Sequence, residues 1–231
     1  MDINLDMHNT FLDERLAELQ RDNVLEIIQR GRTGEKALEV AGSAFFFGNH
    51  VINVVETATP LPHPLACLEG CNFCCYNLLE VTPPEALFLG YYVEREFSDL
   101  EKRELLEVLE KAAAFRAGKD KKQLAGMRQE LACPLLKDGR CAAYPARPLM
   151  CRAMHSLDAA QCREAFYQGD RVSPPYYAHR HDITFAIGQG LLAGCRAAGL
   201  QSRALELSRA LLDCLTQERP RERWIQGEEI F

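Results

Sequence analysis

Apolar positions recur at helical spacing along most of the chain. Leu12 and Leu16 begin the first such pattern, which continues to Gly31 with acidic residues near its start. A more apolar segment from 35 to 57 is centred on three consecutive phenylalanines and ends before Pro60. Spacings of three and four residues place side chains on one face of an α-helix. The pattern therefore predicts two long helices followed by a proline-rich connector.

Helix start signals predict further helices downstream. Thr82, two prolines and Glu85 form a capping box with proline in the first turn. Ser98 begins a second amphipathic segment that runs to Phe115. The remaining predicted helices are one short and two C-terminal ones: 158–167, 181–198 and 201–216. No sustained alternation of period two is present, so the predicted fold class is all-α, a helical bundle.

The segment from Cys133 to Pro148 breaks the helical pattern. Its three prolines forbid a continuous helix, and a Lys-Asp-Gly-Arg sequence at 137–140 is typical of a turn. Cysteines recur every eight to eleven residues from Cys133 to Cys162. We therefore predict an irregular, cysteine-rich loop that closes a metal site.

Length and composition allow one folded domain. A chain of 231 residues with 47% hydrophobic composition can bury a core without covalent help. We predict a single domain, 1–231, in which a cysteine-cluster core at 65–165 is flanked by helices in 1–60 and 176–231. The net charge of −6, with basic residues scattered along the chain, does not indicate a nucleic-acid surface. A protein or small-molecule partner is undefined, and the phenylalanine-rich helix can supply a homodimer interface.

The N-terminus and the apolar segments bear on the compartment. The first residues are acidic and contain no apolar core of a secretory signal. The longest apolar stretch, 37–55, is interrupted by Glu39, Asn49, His50 and Asn53 and is not expected to span a membrane. We therefore expect a cytoplasmic protein. Clustered cysteines in a reducing compartment favour metal or redox sites over disulfides.

Eight of the ten cysteines form two groups separated by 58 residues: Cys67, Cys71, Cys74 and Cys75, then Cys133, Cys141, Cys151 and Cys162. If residues 66–79 are helical, the first three sulfurs share one stripe, which the later loop can cover. Adjacent cysteines seldom both bind one small ion, so Cys74 or Cys75 can serve a second metal. Cys195 and Cys214 lie on apolar helix faces and are expected in the core.

Thiolate ligands select zinc, copper(I) or iron–sulfur clusters. Four thiolates around Zn²⁺ or a doubly charged cubane leave a net charge of −2, which arginines can compensate. Arg140 and Arg163 lie among the cysteines, and we expect Arg147 and Arg152 to lie beside the cofactor. His155 is expected to be a solvated histidine rather than a ligand.

A family resemblance rests on both cysteine groups. The sequence C-x3-C-x2-C-C, followed by CPLLKDGRCAAYPARPLMCR, resembles the YkgJ-like cysteine-cluster family, often written CxxCxxCC. The second element matches position by position: Cys133, Pro134, Gly139, Arg140, Cys141, Tyr144, Arg147, Pro148, Cys151 and Arg152. The first element departs from the family label by one extra residue between Cys67 and Cys71. The extension to Cys162 is similar to a variant found in part of the family.

The resemblance implies zinc or iron chelation and adds an enzymatic alternative. The family is related to flagellin lysine N-methylases, whose similar cysteines are associated with an iron–sulfur centre and methyl transfer. Our first hypothesis is that the two cysteine groups converge on one buried metal centre, a [4Fe–4S] cluster rather than zinc; all eight cysteines are candidate ligands, and which four bind stays open. The alternatives are a structural zinc-binding protein and an iron–sulfur-dependent methyltransferase-like enzyme. Whether the protein is an enzyme stays open.

Overall fold

Ten helices make up most of the chain between residues 10 and 231, the part that the computed structural model describes, apart from the side chains of Thr10, Phe11 and Asp170. They are α1 (Thr10–Gln29), α2 (Gly34–Ala58), α3 (Pro83–Glu96), α4 (Asp99–Arg116), α5 (Lys121–Gly126), α6 (Leu149–Ala153), α7 (Ala159–Gln168), α8 (Ala178–Ala197), α9 (Leu207–Thr216) and α10 (Pro220–Ile225). The predicted all-α class is confirmed. The first nine residues, on which part of the compartment prediction rests, lie outside the described residues.

The described residues also contain four two-residue strands: β1 (Glu80–Val81), β2 (Leu136–Lys137), β3 (Arg140–Cys141) and β4 (Leu205–Glu206). β1 pairs with β4, and β2 pairs with β3, both antiparallel. The first pair ties the segment after the first cysteine group to the C-terminal helices. The second pair is a hairpin inside the second cysteine group.

The core lies between the N-terminal helices and the C-terminal half of the chain. α1 and α2 both pack against α8, and α3 and α4 pack against α9. Gly194 of α8 lets α1 approach closely, because a Cβ there would lie 2.6 Å from the Cβ of Val24. Large side chains such as Ile187, Leu191 and Trp224 are fully buried in this core.

α2 is long and apolar enough to cross a membrane by length and composition alone. It packs against α3, α8 and α10, and Phe45 and Ile52 are among its eight buried residues. The outer face of α2 is less covered. Only 28% of its most apolar 18-residue stretch is buried, and Phe46 is 72% exposed. One such helix is weak evidence for a span, and the cytoplasmic location stays a prediction.

The start of α3 fixes the start of α6. The Glu85 carboxylate accepts hydrogen bonds from the backbone N–H and hydroxyl of Thr82, both at 2.8 Å, which confirms the capping box. Its other oxygen accepts from the backbone N–H of Leu149 at 2.7 Å. Burial raises the pKa of this carboxyl, while the surrounding donors oppose that shift. Glu85 therefore joins the helical core to the short helix that carries Cys151.

Two helix predictions are wrong in part. Residues 66–79 contain only a short 3₁₀ turn, Phe73–Tyr76, so the first cysteine group is not a helical stripe. Residues 201–206 precede α9 and are not helical, and the last two of them form the strand β4, in which Leu205 pairs with Val81. The short helices α5, α6 and α10 were not predicted; each has only five or six residues and too few turns to show a period.

Candidate metal centre

The first cysteine group occupies a loop and a single tight turn. Cys67 and Cys71 follow the proline connector, and Cys74 and Cys75 lie in the 3₁₀ turn Phe73–Tyr76. Gly70, with φ of +90°, bends the chain between the first two cysteines. The backbone N–H of Ser156 donates a 3.3 Å hydrogen bond to the Cys67 sulfur. The first group thus reaches the segment between α6 and α7.

The second group is presented by a hairpin and two short helices. Asp138 and Gly139 have φ of +50° and +76°, as a two-residue hairpin turn requires, and the sequence Asp-Gly suits it. The hairpin places Cys141 opposite Leu136, whose N–H donates to the carbonyl of Cys133 at 2.9 Å. Cys151 lies on α6 and Cys162 on α7. The predicted irregular loop with a turn at 137–140 is therefore found.

One backbone hydrogen bond joins the two groups directly. The N–H of Cys133 donates to the carbonyl of Cys75 at 2.8 Å. Residues 58 positions apart in the sequence are thus neighbours in the fold. The convergence of the two groups, which spacing alone could only suggest, is present in the structure.

Four of the eight thiols line a single cavity of about 510 Å³: Cys67, Cys71, Cys74 and Cys162. Much of the remaining wall is apolar or aromatic, from residues such as Phe73, Met154 and Tyr176. Polar groups come from residues such as Arg128, Asn77 and His181. No aspartate or glutamate is among the described lining residues. Sulfur is therefore the main donor that this cavity offers to a metal.

The other four thiols, Cys75, Cys133, Cys141 and Cys151, are absent from the cavity lining. Burial raises the pKa of Cys133 to about 11, with a smaller contribution from nearby Cys141. Burial also raises the pKa of Cys151, and the neighbouring Cys133, Cys141 and Cys74 add to the shift. Thiols with a raised pKa stay protonated without a metal, and a metal ion that binds them must displace those protons.

The donor set fits a soft metal. All ten cysteines are free thiols, and the eight grouped ones are at least partly accessible. Among residues 12–169 and 171–231, no three Cys, His, Asp or Glu side chains stand in an arrangement that already holds a single metal ion. Thiolates favour zinc, copper(I) and iron–sulfur clusters over hard cations, whichever of the eight are used.

The arginines expected near the cofactor have different surroundings. The Arg147 guanidinium lies 3.6 Å from the centre of the Tyr144 ring. The pKa of Cys74 is raised mainly by its hydrogen bond with Cys75, and burial raises the pKa of Cys141 and Cys151; the charge of Arg147 partly offsets each of these increases. Arg152 instead donates to the carbonyls of Arg147 and Pro145, both at 2.7 Å. Arg147 is therefore placed to compensate thiolate charge, whereas Arg152 holds the loop in shape.

His155 is neither solvated, as expected from the sequence, nor available as a metal ligand. The N–H of Tyr177 donates to its Nε2 at 2.8 Å, so Nε2 carries no proton. Nδ1–H then donates to the carbonyl of Ala153 at 2.6 Å. Burial lowers the pKa of this ring, which favours the neutral form that the two hydrogen bonds require. His155 is a structural residue that joins α6 to α8.

Cys195 and Cys214 lie in the core, as predicted. Both are buried, with exposed fractions of 0% and 2%. Burial raises the pKa of Cys195 to about 12 and raises that of Cys214 as well. They are inert thiols, outside both cysteine groups.

The family comparison covers the segment that contains all eight grouped cysteines. Residues 66–170 match the family CxxCxxCC, described as a "Putative zinc- or iron-chelating domain". The match spans a little less than half of the chain and is a similarity of this segment to the family. The resemblance to a cysteine-cluster family is therefore confirmed, and the chemistry of the domain is metal binding. Searches of curated proteins and of solved structures find no match.

Sequence reasoning missed Arg128 as a site residue. This arginine lines the thiol cavity, and its Nη1 donates to the carbonyl of Ala165 at 3.3 Å, while its buried Nε has no hydrogen-bond partner. It precedes the second cysteine group by five residues and belongs to no motif. Only the packing of the 3₁₀ turn 128–130 against α7 brings it to the site.

Proposed function

We propose that the CxxCxxCC domain holds a [4Fe–4S] cluster in the thiol cavity, with Cys67, Cys71, Cys74 and Cys162 as ligands. The observation that carries this proposal is one cavity of about 510 Å³ lined by four thiols and by no described carboxylate. Structural zinc sites are closed tetrahedra of four ligands around one ion. A cavity much larger than one ion favours a polynuclear cluster, and thiolates are the ligands that hold one.

The residues around the cavity have the properties that such a cluster needs. The backbone N–H of Ser156 donates a hydrogen bond to the Cys67 sulfur, and hydrogen bonds to ligand sulfurs tune the reduction potential of iron–sulfur clusters. Arg128 brings positive charge to a site whose net charge with four thiolates is −2. A bound cluster would supply one-electron transfer, at a potential set by these contacts and by the exposure of Cys67 and Cys74.

Metal and sulfide analysis of the anaerobically purified full chain tests the proposal. We expect iron and acid-labile sulfide in equal amounts and a broad charge-transfer absorption in the visible range. Cys162→Ser should lose most of the iron and the colour, because it removes one thiolate from the cavity. Cys195 is a core cysteine outside the two groups, so Cys195→Ala should keep the iron and the colour.

Zinc at the cavity thiols, with no acid-labile sulfide, would contradict the cluster. In that case the domain would be a structural zinc protein, the other metal that its family description allows. An unchanged iron content in Cys162→Ser would show that the cluster is bound elsewhere.

A further inference from the structure

Large hydrophobic side chains are exposed around the cysteine site. Leu68, which follows Cys67 in the chain, is 78% exposed, more than any other large hydrophobic side chain of the described residues. Tyr176, which lines the same cavity as Cys67, is 49% exposed, and Tyr144, three residues after Cys141, is 59% exposed. Exposed apolar side chains that group at a site, rather than scatter singly, mark an interaction surface.

The loop that carries Leu68 lies against the tip of the β2–β3 hairpin. Glu69 forms an ion pair with Arg140 at 3.2 Å, and both side chains are largely exposed. A Cβ at Gly139 would lie 3.5 Å from the side-chain nitrogen of Asn72. The loop and the hairpin turn therefore present one continuous surface. We call the exposed residues around the cysteine site the cysteine face: Leu68, Arg140, Tyr144 and Tyr176.

The segment that carries much of the cysteine face is basic, although the chain as a whole is acidic. From Cys133 to Cys162 the sequence has four basic and two acidic residues, a net charge of +2, whereas the whole chain has −6 and the remainder therefore −8. The guanidinium of Arg147 lies 3.6 Å from the centre of the exposed Tyr144 ring. A local excess of positive charge attracts a negatively charged surface and speeds its approach.

A cluster held by the cavity thiols would lie close to this face, because Cys67 is itself exposed. We propose that the cysteine face docks a small acidic protein that carries one electron, and that this carrier reduces the cluster. The inference rests on the proposed function, since it needs a redox cluster in the cavity. The reduced carrier loses one electron and the oxidised cluster gains it, while no bond is formed or broken and no proton moves.

The residues of the cysteine face suit a protein partner. Tyrosine and arginine are enriched at protein–protein interfaces, where they supply most of the anchoring contacts. Complexes for electron transfer are weak and small, and bury less than about 1,200 Å² in total. A few exposed anchors with a favourable charge are therefore enough for such a complex.

Anaerobic rapid mixing tests the docking with a defined probe. The reduced form of an acidic plant-type ferredoxin is mixed with the oxidised full chain, and the change in visible absorption is followed. At low ionic strength we expect a fast second-order reaction. Its rate should fall as salt is added, because salt screens the attraction between the opposite charges.

Two substitutions at Leu68 change the charge of the cysteine face without removing a polar contact. Leu68→Asp should repel the acidic ferredoxin, and Leu68→Lys should attract it. At low ionic strength the rate with Leu68→Lys should exceed the rate with Leu68→Asp by about fivefold or more, and the two rates should converge at high salt.

A remote substitution supplies the matched control. Arg196→Glu changes the charge by two units, as the two Leu68 variants differ from each other by two. Arg196 is exposed near the C-terminal end of α8, about 22 Å along the helix axis from His181, which lines the cavity. Arg196→Glu should therefore react at the rate of the parent.

Calorimetry with the oxidised ferredoxin covers the case in which the two reduction potentials do not allow electron transfer. Docking alone is then measured, at low ionic strength, in the same variants. The dissociation constant should be smaller for Leu68→Lys than for Leu68→Asp by about the same factor, and unchanged in Arg196→Glu.

The outcomes separate the docking from the cluster. Equal rates and equal affinities for the two Leu68 variants would overturn the docking, and so would a loss in Arg196→Glu as large as that in Leu68→Asp. If dithionite reduces the cluster but ferredoxin neither reduces nor binds the protein, the docking is wrong and the cluster stands. A chain without iron and acid-labile sulfide would overturn the cluster and, with it, the electron carrier as a partner.

Discussion

At the residue scale, the contacts of individual polar groups decide what each can do. Glu85 and Glu101 make the same capping hydrogen bonds, from Thr82 and from Ser98, but only Glu85 is buried and also accepts from Leu149. The sequence predicts the capping box of Thr82 and Glu85 from local spacing. It cannot predict the bond to Leu149, which lies 64 residues away.

Glu85→Gln should destabilise the protein clearly more than Glu101→Gln does. In the first variant an amide N–H₂ replaces one carboxylate oxygen and meets a backbone or hydroxyl donor, so a buried hydrogen bond is lost at a cost of about 1–3 kcal/mol. In the exposed box at Ser98, water can satisfy the amide, and the cost should be a few tenths of a kcal/mol. Urea unfolding measures both, and equal losses would contradict the anchoring role of Glu85.

The neutral state of His155 predicts a pH effect on stability. Because burial lowers the pKa of the ring in the folded protein, the unfolded ring gains its proton first as pH falls. Stability should therefore be full above the unfolded pKa of about 6.5 and decrease as pH falls below it. His181, whose pKa is also lowered by burial, acts in the same direction.

The histidine contribution is isolated by substitution. His155→Gln should be less stable at neutral pH but should lose less stability between pH 7 and pH 5 than the parent. The exposed His50→Gln should leave that pH dependence unchanged. If the parent and His155→Gln lose the same stability between pH 7 and pH 5, the His155 ring is not the neutral group with two hydrogen bonds described above.

At the element scale, the long helices follow from periodicity and caps, while the site depends on elements without a period. α1, α2, α4, α7 and α8 lie close to their predicted bounds because each shows helical spacing over ten or more residues, and α3 begins at its predicted capping box. The cysteine spacing at 67–74 also matches a helix, yet prolines and Gly70 give a loop there. Residues 201–206 are not helical, because the pairing of Leu205 and Glu206 with β1 delays the start of α9.

The packing of α8 on α1 makes a prediction with a control on the same helix. Gly190→Ala should destabilise the protein by about 1–3 kcal/mol, because the new Cβ would overlap backbone atoms of Ala17, including its Cα at 2.9 Å. Gly188→Ala should be neutral or stabilising by up to about 1 kcal/mol, since its Cβ would meet only Leu149 Cδ1 at 3.9 Å. Thermal unfolding compares them. Equal effects would mean that α8 does not approach α1 as closely as described.

At the scale of the whole molecule, a helical core supports an irregular metal-binding segment. Glu85 connects α3 to α6, and the β1–β4 pair connects the end of the first cysteine group to α9. The spacing of the eight cysteines predicts that the two groups meet at a metal site, because clustered thiols favour metal binding. Which four of these thiols line the cavity depends on the direction of each side chain and could not be predicted from spacing.

A larger cavity of about 790 Å³ lies between the N-terminus of α2 and α10, and no cysteine lines it. Three arginines and four glutamates share its wall: Arg32, Arg219, Arg223, Glu35, Glu218, Glu222 and Glu228. Volume alone would select this region as the functional one. The donor chemistry of the smaller cavity, together with the family match over residues 66–170, selects the cysteine site instead.

X-ray absorption at the iron edge of the anaerobically purified full chain tests the central claim most directly, because it reports the atoms around the metal. The account predicts a shell of sulfur neighbours together with iron–iron scattering, and the loss of both in Cys162→Ser. A shell of oxygen and nitrogen neighbours, or sulfur without any iron–iron contribution, would contradict a cluster held by the cavity thiols.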